Sequence, residues 1–331
     1  MGQQTRRELL TRVAPRDELV NVLEFEAEAG RALAADVMRQ VTGGDRAAYE
    51  RVTFRPRMMV PCLDLNLSVD LLGIPLFAPI LIGPVADQRR FHAEGELATA
   101  RGAAAGKAAM VVSSRAAHPF AAIAAAASTP LVLQVFAGDG ATAVRGQAIE
   151  AERAGAKAIL VTIDASDAAG RPPARTDWAV VDAVRGAVAV PVIVKGVLRA
   201  DDARAAVARG ARGVVVSNYG RVAATGRPAP LEAVAPIVDA VGPQVPVLVD
   251  GGIRRGSDVM KALAAGARAV LVARPVMWGL AAYGADGVQS VVELLQTELA
   301  RVMGCCGTPH LGAITRAHVH VHGAAPTSSA E

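Results

Sequence analysis

From residue 78 onward the chain repeats one unit: a short apolar or β-branched run, a polar or glycine turn, then an alanine-rich stretch of helical length. The runs are APILIG at 78–83, AMVVSS at 109–114, PLVLQV at 130–135, AILVTI at 158–163, PVIVKG at 191–196, GVVVSN at 213–218, PVLVDG at 246–251 and AVLVAR at 269–274, eight in all. Their near-continuous hydrophobicity is what strands buried on both faces require, as in an all-parallel sheet. Between them, segments such as 94–105, 141–154, 200–208 and 256–265 carry Ala, Leu, Arg and Glu at helical spacing. Eight βα units specify an α/β fold of the TIM (β/α)8 barrel type. A doubly wound sheet would carry a GxGxxG turn, and none follows any run. The string GAAAGKAA at Gly102 is one residue short of a phosphate loop, lacks its Ser or Thr, and reads as helix.

The barrel spans 78–314 in this reading. Residues 1–77, with a helical stretch over 16–41, a Gly43-Gly44 stop and a basic turn at 55–57, form an N-terminal helical cap; 315–331 form a solvated, frayed C-terminal tail. The tail's His318, His320 and His322 have a spacing that would put three imidazoles on one strand face, but an unstructured tail is the simpler reading, and no metal is expected. A formal charge of +4 with interspersed signs excludes a nucleic-acid face. Three cysteines, Cys62, Cys305 and Cys306, make no disulfide framework and suit the cytoplasm. The N-terminus has charges where a signal peptide needs an apolar stretch, and the most apolar region, 120–136, is interrupted by Ser128, Thr129 and Pro130, so no membrane span is expected.

In a barrel of this kind the working groups project from the C-terminal strand ends, and an anion site follows the last two strands. There the chain reads Asp250-Gly251-Gly252-Ile253-Arg254-Arg255-Gly256 and Ala273-Arg274-Pro275. Paired glycines let backbone N–H groups approach an anion, a helix N-terminus favours negative charge, and Arg254 and Arg274 neutralise it, so a phosphate-bearing cofactor is expected. The fifth run ends in Lys195, which points into the barrel mouth and requires an anionic partner. Ser113, Gln134, Thr162, Asp164 and Ser217-Asn218-Tyr219 complete a polar ring suited to a flat heteroaromatic.

VKGVL at 194–198, VVSN at 215–218, the long stretch PVLVDGGIRRGSDVMKALAAGARAVLVARPVMWGLA at 246–281, GELATARGAAA at 95–105 and VTFRPR at 52–57 resemble the FMN-dependent α-hydroxy acid oxidases and dehydrogenases. The resemblance runs from about Phe25 to Ile314. It implies FMN as cofactor, a small-molecule substrate and a homo-oligomer, a tetramer in that family. Carried over by position, the flavin contacts would be Pro84, Val85, Ala86, Ser113, Gln134, Thr162, Lys195 and Ser217. The phosphate set would be Asp250, Gly251, Gly252, Arg254 and Arg274, with Ala273 where the family has glycine. Lys195 would lie by the N1/O2 edge of the flavin and stabilise its anionic reduced form.

The substrate half departs from the family. Where the family reads SNHGGRQLD, with the histidine as base and the arginine as carboxylate holder, this chain reads SNYGRVAATG: Tyr219 and Val222 take those positions, with Arg221 one residue away. The family's QLY is QVF here, so Phe136 lacks the phenol hydroxyl; SSW is SSR, ending in Arg115; and the N-terminal pocket tyrosine falls near Arg39 or Gln40. Arg171 stands in for the second carboxylate-holding arginine, and the loop around it is cut to RPPARTD before Trp178. Arg115, Arg171 and Arg221 are the candidate holders of an acidic substrate, with a solvated helix start as the alternative for Arg115. His92 and His118 read as helix caps or loop polar groups.

A phenol has an ordinary pKa of about 10 against about 6.5 for imidazole, so a tyrosine base at neutral pH needs about 4 to 5 kcal/mol of environmental help. Three readings follow: Tyr219 with Lys195 as an unusual acid/base pair, Tyr219 orienting a substrate that needs no base, or an FMN-binding protein without catalysis. A flavin-dependent isomerase is a further class. The first is preferred, as an FMN-dependent oxidoreductase of a non-standard, acidic biosynthetic intermediate. Only 3% of residues are aromatic and there are three tyrosines, so one of them at a catalytic position carries weight.

Overall fold

The computed structural model describes residues 14–44, 46–163, 177–219 and 229–323. Its strands are β1 (Val52–Phe54), β2 (Val69–Leu71), β3 (Ile74–Leu76), β4 (Ile80–Ile82), β5 (Met110–Ser113), β6 (Leu131–Phe136), β7 (Ala158–Thr162), β8 (Val192–Val197), β9 (Gly213–Val216), β10 (Val247–Asp250), β11 (Ala269–Val272) and β12 (Val319–Val321). Strands β4 to β11 close into one barrel, each parallel to its neighbours, with β11 returning to β4 by pairing Val270 with Ile80 and Leu271 with Leu81. These eight strands are the eight apolar runs, and the (β/α)8 expectation holds.

Period-2 alternation divides each run between two cores. Leu81, Val111, Val132, Leu160, Ile193, Val215, Leu248 and Leu271 form one buried cluster inside the barrel, with Leu71, Ile74 and Leu76 of the antiparallel β2–β3 hairpin packed into it. Their neighbours Ile80, Val112, Leu133, Val161, Val194, Val216, Val249 and Val272 face the helices in the second cluster. The same parity, carried two residues on, puts Ser113, Gln134, Thr162, Lys195, Ser217, Asp250 and Ala273 on the inner face at the open mouth. At β8 the pairing with β9 shifts register between Lys195 and Val197, a bulge at the strand end that carries the lysine.

The N-terminal segment is tied to the barrel through the long C-terminal helix Arg274–Cys306. Trp278 Nε1 donates to the Val41 carbonyl at 3.0 Å, and the Phe25 and Tyr283 rings meet edge to face. That helix is broken at Tyr283 and Gly284, the latter at φ 59, and the two halves cross where Gly279 and Gly287 touch backbone to backbone.

The expectation of a solvated tail from His318 is corrected for its first residues. β12 pairs antiparallel with β1, His320 opposite Thr53, so the segment docks along the N-terminal strand. His318 is buried and caps a short turn through Thr315, while the rings of His320 and His322 pack edge to face. Among the described residues no group of three His, Cys, Asp or Glu side chains is placed to hold a metal, and no helix is long and apolar enough to cross a membrane.

Candidate functional site

A cavity of about 540 Å³ opens at the C-terminal mouth of the barrel. Of the residues implied as cofactor contacts, Pro84, Val85, Ala86, Ser113, Gln134, Lys195, Asp250, Gly251, Gly252, Arg254, Ala273 and Arg274 line it, together with Phe136 and Tyr219. Thr162 and Ser217 stand behind this lining and hold it. Gln134 Nε2 donates to Thr162 Oγ1 at 2.8 Å, which fixes the amide's orientation. Arg171 and Arg221, like Val222 and Asp164, lie outside the described residues.

The Lys195 ammonium is buried and doubly held: Nζ is 2.7 Å from Asp250 Oδ2 and 3.0 Å from Ser217 Oγ, and Ser217 Oγ in turn donates to Asp250 Oδ2 at 2.9 Å. Asp250, implied as part of the phosphate set, is thus placed against the lysine. Tyr219 follows at the same strand end. Its backbone is left-handed, φ 56, a conformation that costs a non-glycine residue about 1 kcal/mol, and its N–H donates to Ser217 Oγ at 3.2 Å. The lysine nitrogen lies 5.5 Å from the centre of the Tyr219 ring.

Three arginines meet at the other end of the cavity. Arg254 Nη2 and Arg274 Nη1 both donate to the Gly43 carbonyl, at 2.7 and 3.3 Å, and Arg46 donates to the Gly252 carbonyl at 3.1 Å. Burial, with Arg274 and Arg46 adding repulsion, pushes the Arg254 pKa down from 12.5 to about 10, and burial lowers that of Arg274 too. Trp278 offers its ring to Arg254, 4.9 Å from the guanidinium carbon to the ring centre. The turn between them is held open by glycines in left-handed backbone, Gly251 at φ 119 and Gly252 at φ 77. Asp258, three residues into the following helix Gly256–Ala264, accepts from the N–H groups of Arg254 and Arg255, at 2.9 Å each, and pairs with Arg46. Tyr49 closes this wall by donating its hydroxyl to the Gly251 carbonyl at 3.0 Å, and burial pushes its pKa up.

These residues fit FMN. A crowd of guanidiniums beside an open glycine turn would give a phosphate its charge partners, and a slot walled by 84–86, Gln134 and Lys195 would give a flat ring its hydrogen bonds.

Arg115 is engaged elsewhere than in the cavity lining: its guanidinium lies 3.9 Å from the centre of the Phe136 ring and pairs with Asp139 at 2.9 Å. Sequence reasoning missed Arg46, Asp258 and Arg90. Asp258 had a signal, a carboxylate at the third helical position; Arg46 caps the four-residue helix Ala47–Glu50 and Arg90 ends the single 3-10 turn Gln88–Arg90, elements too short for a periodicity that points inward. Arg90 and Gln40 both line the cavity. Glu96 is another structural partner: its Oε1 accepts from Gln88 N and Ala117 N, fastening the chain after β4 to the chain after β5.

The sequence matches the family model described as FMN-dependent dehydrogenase over residues 38–175 and 167–321. It is 34% identical to a peroxisomal (S)-2-hydroxyacid oxidase of Arabidopsis thaliana, over 92% of this chain and 97% of that protein. With glycolate oxidase of Spinacia oleracea the identity is 32%, over 95% of this chain and 99% of that protein. Among solved structures it superposes on mandelate oxidase with 3,3-difluoro-2-hydroxy-3-phenylpropionic acid at a TM-score of 0.85 and 36% identity, covering 92% of this chain and all of that one.

Proposed function

The chain belongs to the family of FMN-dependent dehydrogenases and is an FMN-dependent oxidoreductase, and from that premise we propose that it oxidises an acidic compound other than a simple 2-hydroxy acid, such as a biosynthetic intermediate, in a substrate site rebuilt around Tyr219. The observation that carries this reading is Tyr219 itself: a tyrosine held in left-handed backbone at a strand end beside the Lys195–Asp250 pair, at the position to which the resemblance assigns the family's histidine base. Phe136, where the resemblance expects a tyrosine, and Gln40, which with Arg39 is one of the two positions near which the family's pocket tyrosine falls, line the same cavity.

Bound FMN supplies a two-electron acceptor for the substrate's carbon–hydrogen bond. The protein's part is charge and placement. Asp250 and Ser217 hold the Lys195 ammonium in place at the mouth. Tyr219 Oη holds or moves the substrate's hydroxyl proton, favoured by that nearby cation. Arg90, exposed at the cavity wall and without an ion-pair partner among the described residues, supports an acidic substrate. Three free cysteines are in keeping with a cytoplasmic location, and a homotetramer is proposed from the family resemblance.

The test is anaerobic mixing of the yellow protein with a panel of carboxylic acids, followed by flavin absorbance. Reduction by an acid other than glycolate, lactate or mandelate, weakened by Tyr219→Phe, supports the reading. Full turnover in that variant removes Tyr219 from the chemistry.

A further inference from the structure

A second cavity, of about 430 Å³, lies between the helices Phe120–Ala126 and Ala141–Arg153, on the far side of the strand end that lines the flavin cavity. Ser113 belongs to the walls of both. Its polar contents set it apart. Ser114 Oγ, His118 Nε2 and Gln147 Oε1 are each buried without a hydrogen-bond partner among the described residues, and all three residues line this one cavity. Buried polar atoms are satisfied in the great majority of cases, so three orphans around one space point to something that fills it. A fourth wall residue, Glu150, lies one helical turn beyond Gln147 on the same face and has no ion-pair partner among the described residues. Phe120 and Leu133 supply apolar surface beside these groups.

Every group of the set can accept a hydrogen bond. Gln147 Oε1 and the Glu150 carboxylate only accept; Ser114 Oγ and a neutral His118 ring accept with the appropriate rotor and tautomer. No lysine or arginine lines the cavity. The complementary group is a compact cation with several donors, and a primary ammonium has three. We propose that this cavity is a binding site for a small primary amine: its ammonium bonded to Gln147 Oε1, Ser114 Oγ and His118 Nε2 with Glu150 as counter-charge, its short alkyl body against Phe120 and Leu133. The site is separate from the flavin cavity and shares only the Ser113 wall with it.

The test is calorimetric titration of the FMN-loaded full-length protein with n-butylammonium chloride, with 1-butanol and butyrate in parallel and the flavin spectrum recorded throughout. Saturable binding of one n-butylammonium per chain is expected, about tenfold or more tighter than 1-butanol, with butyrate not binding, and weakened about tenfold by Gln147→Leu. Glu150→Gln, an exposed change that leaves the fold intact, is expected to weaken it as well. Absence of saturable binding, equal binding of the alcohol, or binding indifferent to both substitutions overturns the proposal, and leaves water as the occupant. Binding that changes the flavin spectrum yet ignores Gln147→Leu places the amine in the flavin cavity and overturns it too.

Discussion

Lys195 Nζ and Asp250 Oδ2 stand 2.7 Å apart at the barrel mouth, with Ser217 Oγ bonded to both. The triangle joins the ends of β8, β9 and β10, so one charged contact sets the position of three strand termini. Replacing Lys195 by Met keeps the volume but leaves the carboxylate without its cation. Loss of a partner in a buried pair costs about 3 kcal/mol, taken at the low end because Asp250 keeps some solvent contact. Urea unfolding of Lys195→Met is therefore expected to show a midpoint lowered by that equivalent, and substrate-driven flavin reduction is expected to fall by about two orders of magnitude or more.

The arginine cluster gives a prediction for the cofactor-free protein. Arg254 has a folded pKa of about 10, below its unfolded 12.5, so repulsion and burial weigh on the fold at every pH below about 10, and this strain is relieved as pH rises through that value. A divalent anion offsets it while the guanidinium is charged. Sulfate is expected to raise the thermal midpoint of FMN-free protein equally at pH 6 and pH 9, with the gain abolished by Arg254→Met. Competition between sulfate and FMN checks that both use the same arginines.

The crossing in the long helix is the sharpest steric constraint. A methyl group on Gly287 would fall on the Gly279 carbonyl, and both positions are buried helix backbone that has no room to yield. Gly287→Ala is expected to destabilise the protein by about 3 kcal/mol, read as a lowered thermal midpoint with an unchanged flavin spectrum in whatever protein remains folded.

The barrel was legible because two-sided burial writes itself into the sequence as unbroken apolar runs, and because parity then assigns Ser113, Gln134, Lys195 and Asp250 to the mouth without further information. That Gly251, Gly252, Arg254 and Arg274 gather in one cavity wall was legible from their places after the last two barrel strands. The pairing of Lys195 with Asp250 was not, since two charges on strands separated by β9 carry no mutual signal in a sequence read one strand at a time. Arg46 and Arg90 escaped for a related reason: an arginine at the edge of a one-turn helix looks like any solvated cation until the fold brings it to the site. The docking of β12 on β1 joins segments more than 260 residues apart, and His318 gave no hint of burial.

We propose that the flavin half of the site is kept while Tyr219 stands in for the base that simple 2-hydroxy acids require. The most direct measurement is the anaerobic rate of flavin bleaching by mandelate, glycolate and lactate in the native protein and in Tyr219→His. An unaided phenol falls about 4 to 5 kcal/mol short of imidazole as a base at neutral pH, so the native flavin should stay oxidised over minutes with all three acids, and the histidine variant should bleach faster with at least one. Bleaching of the native protein within seconds by any of them would overturn the proposed role of Tyr219.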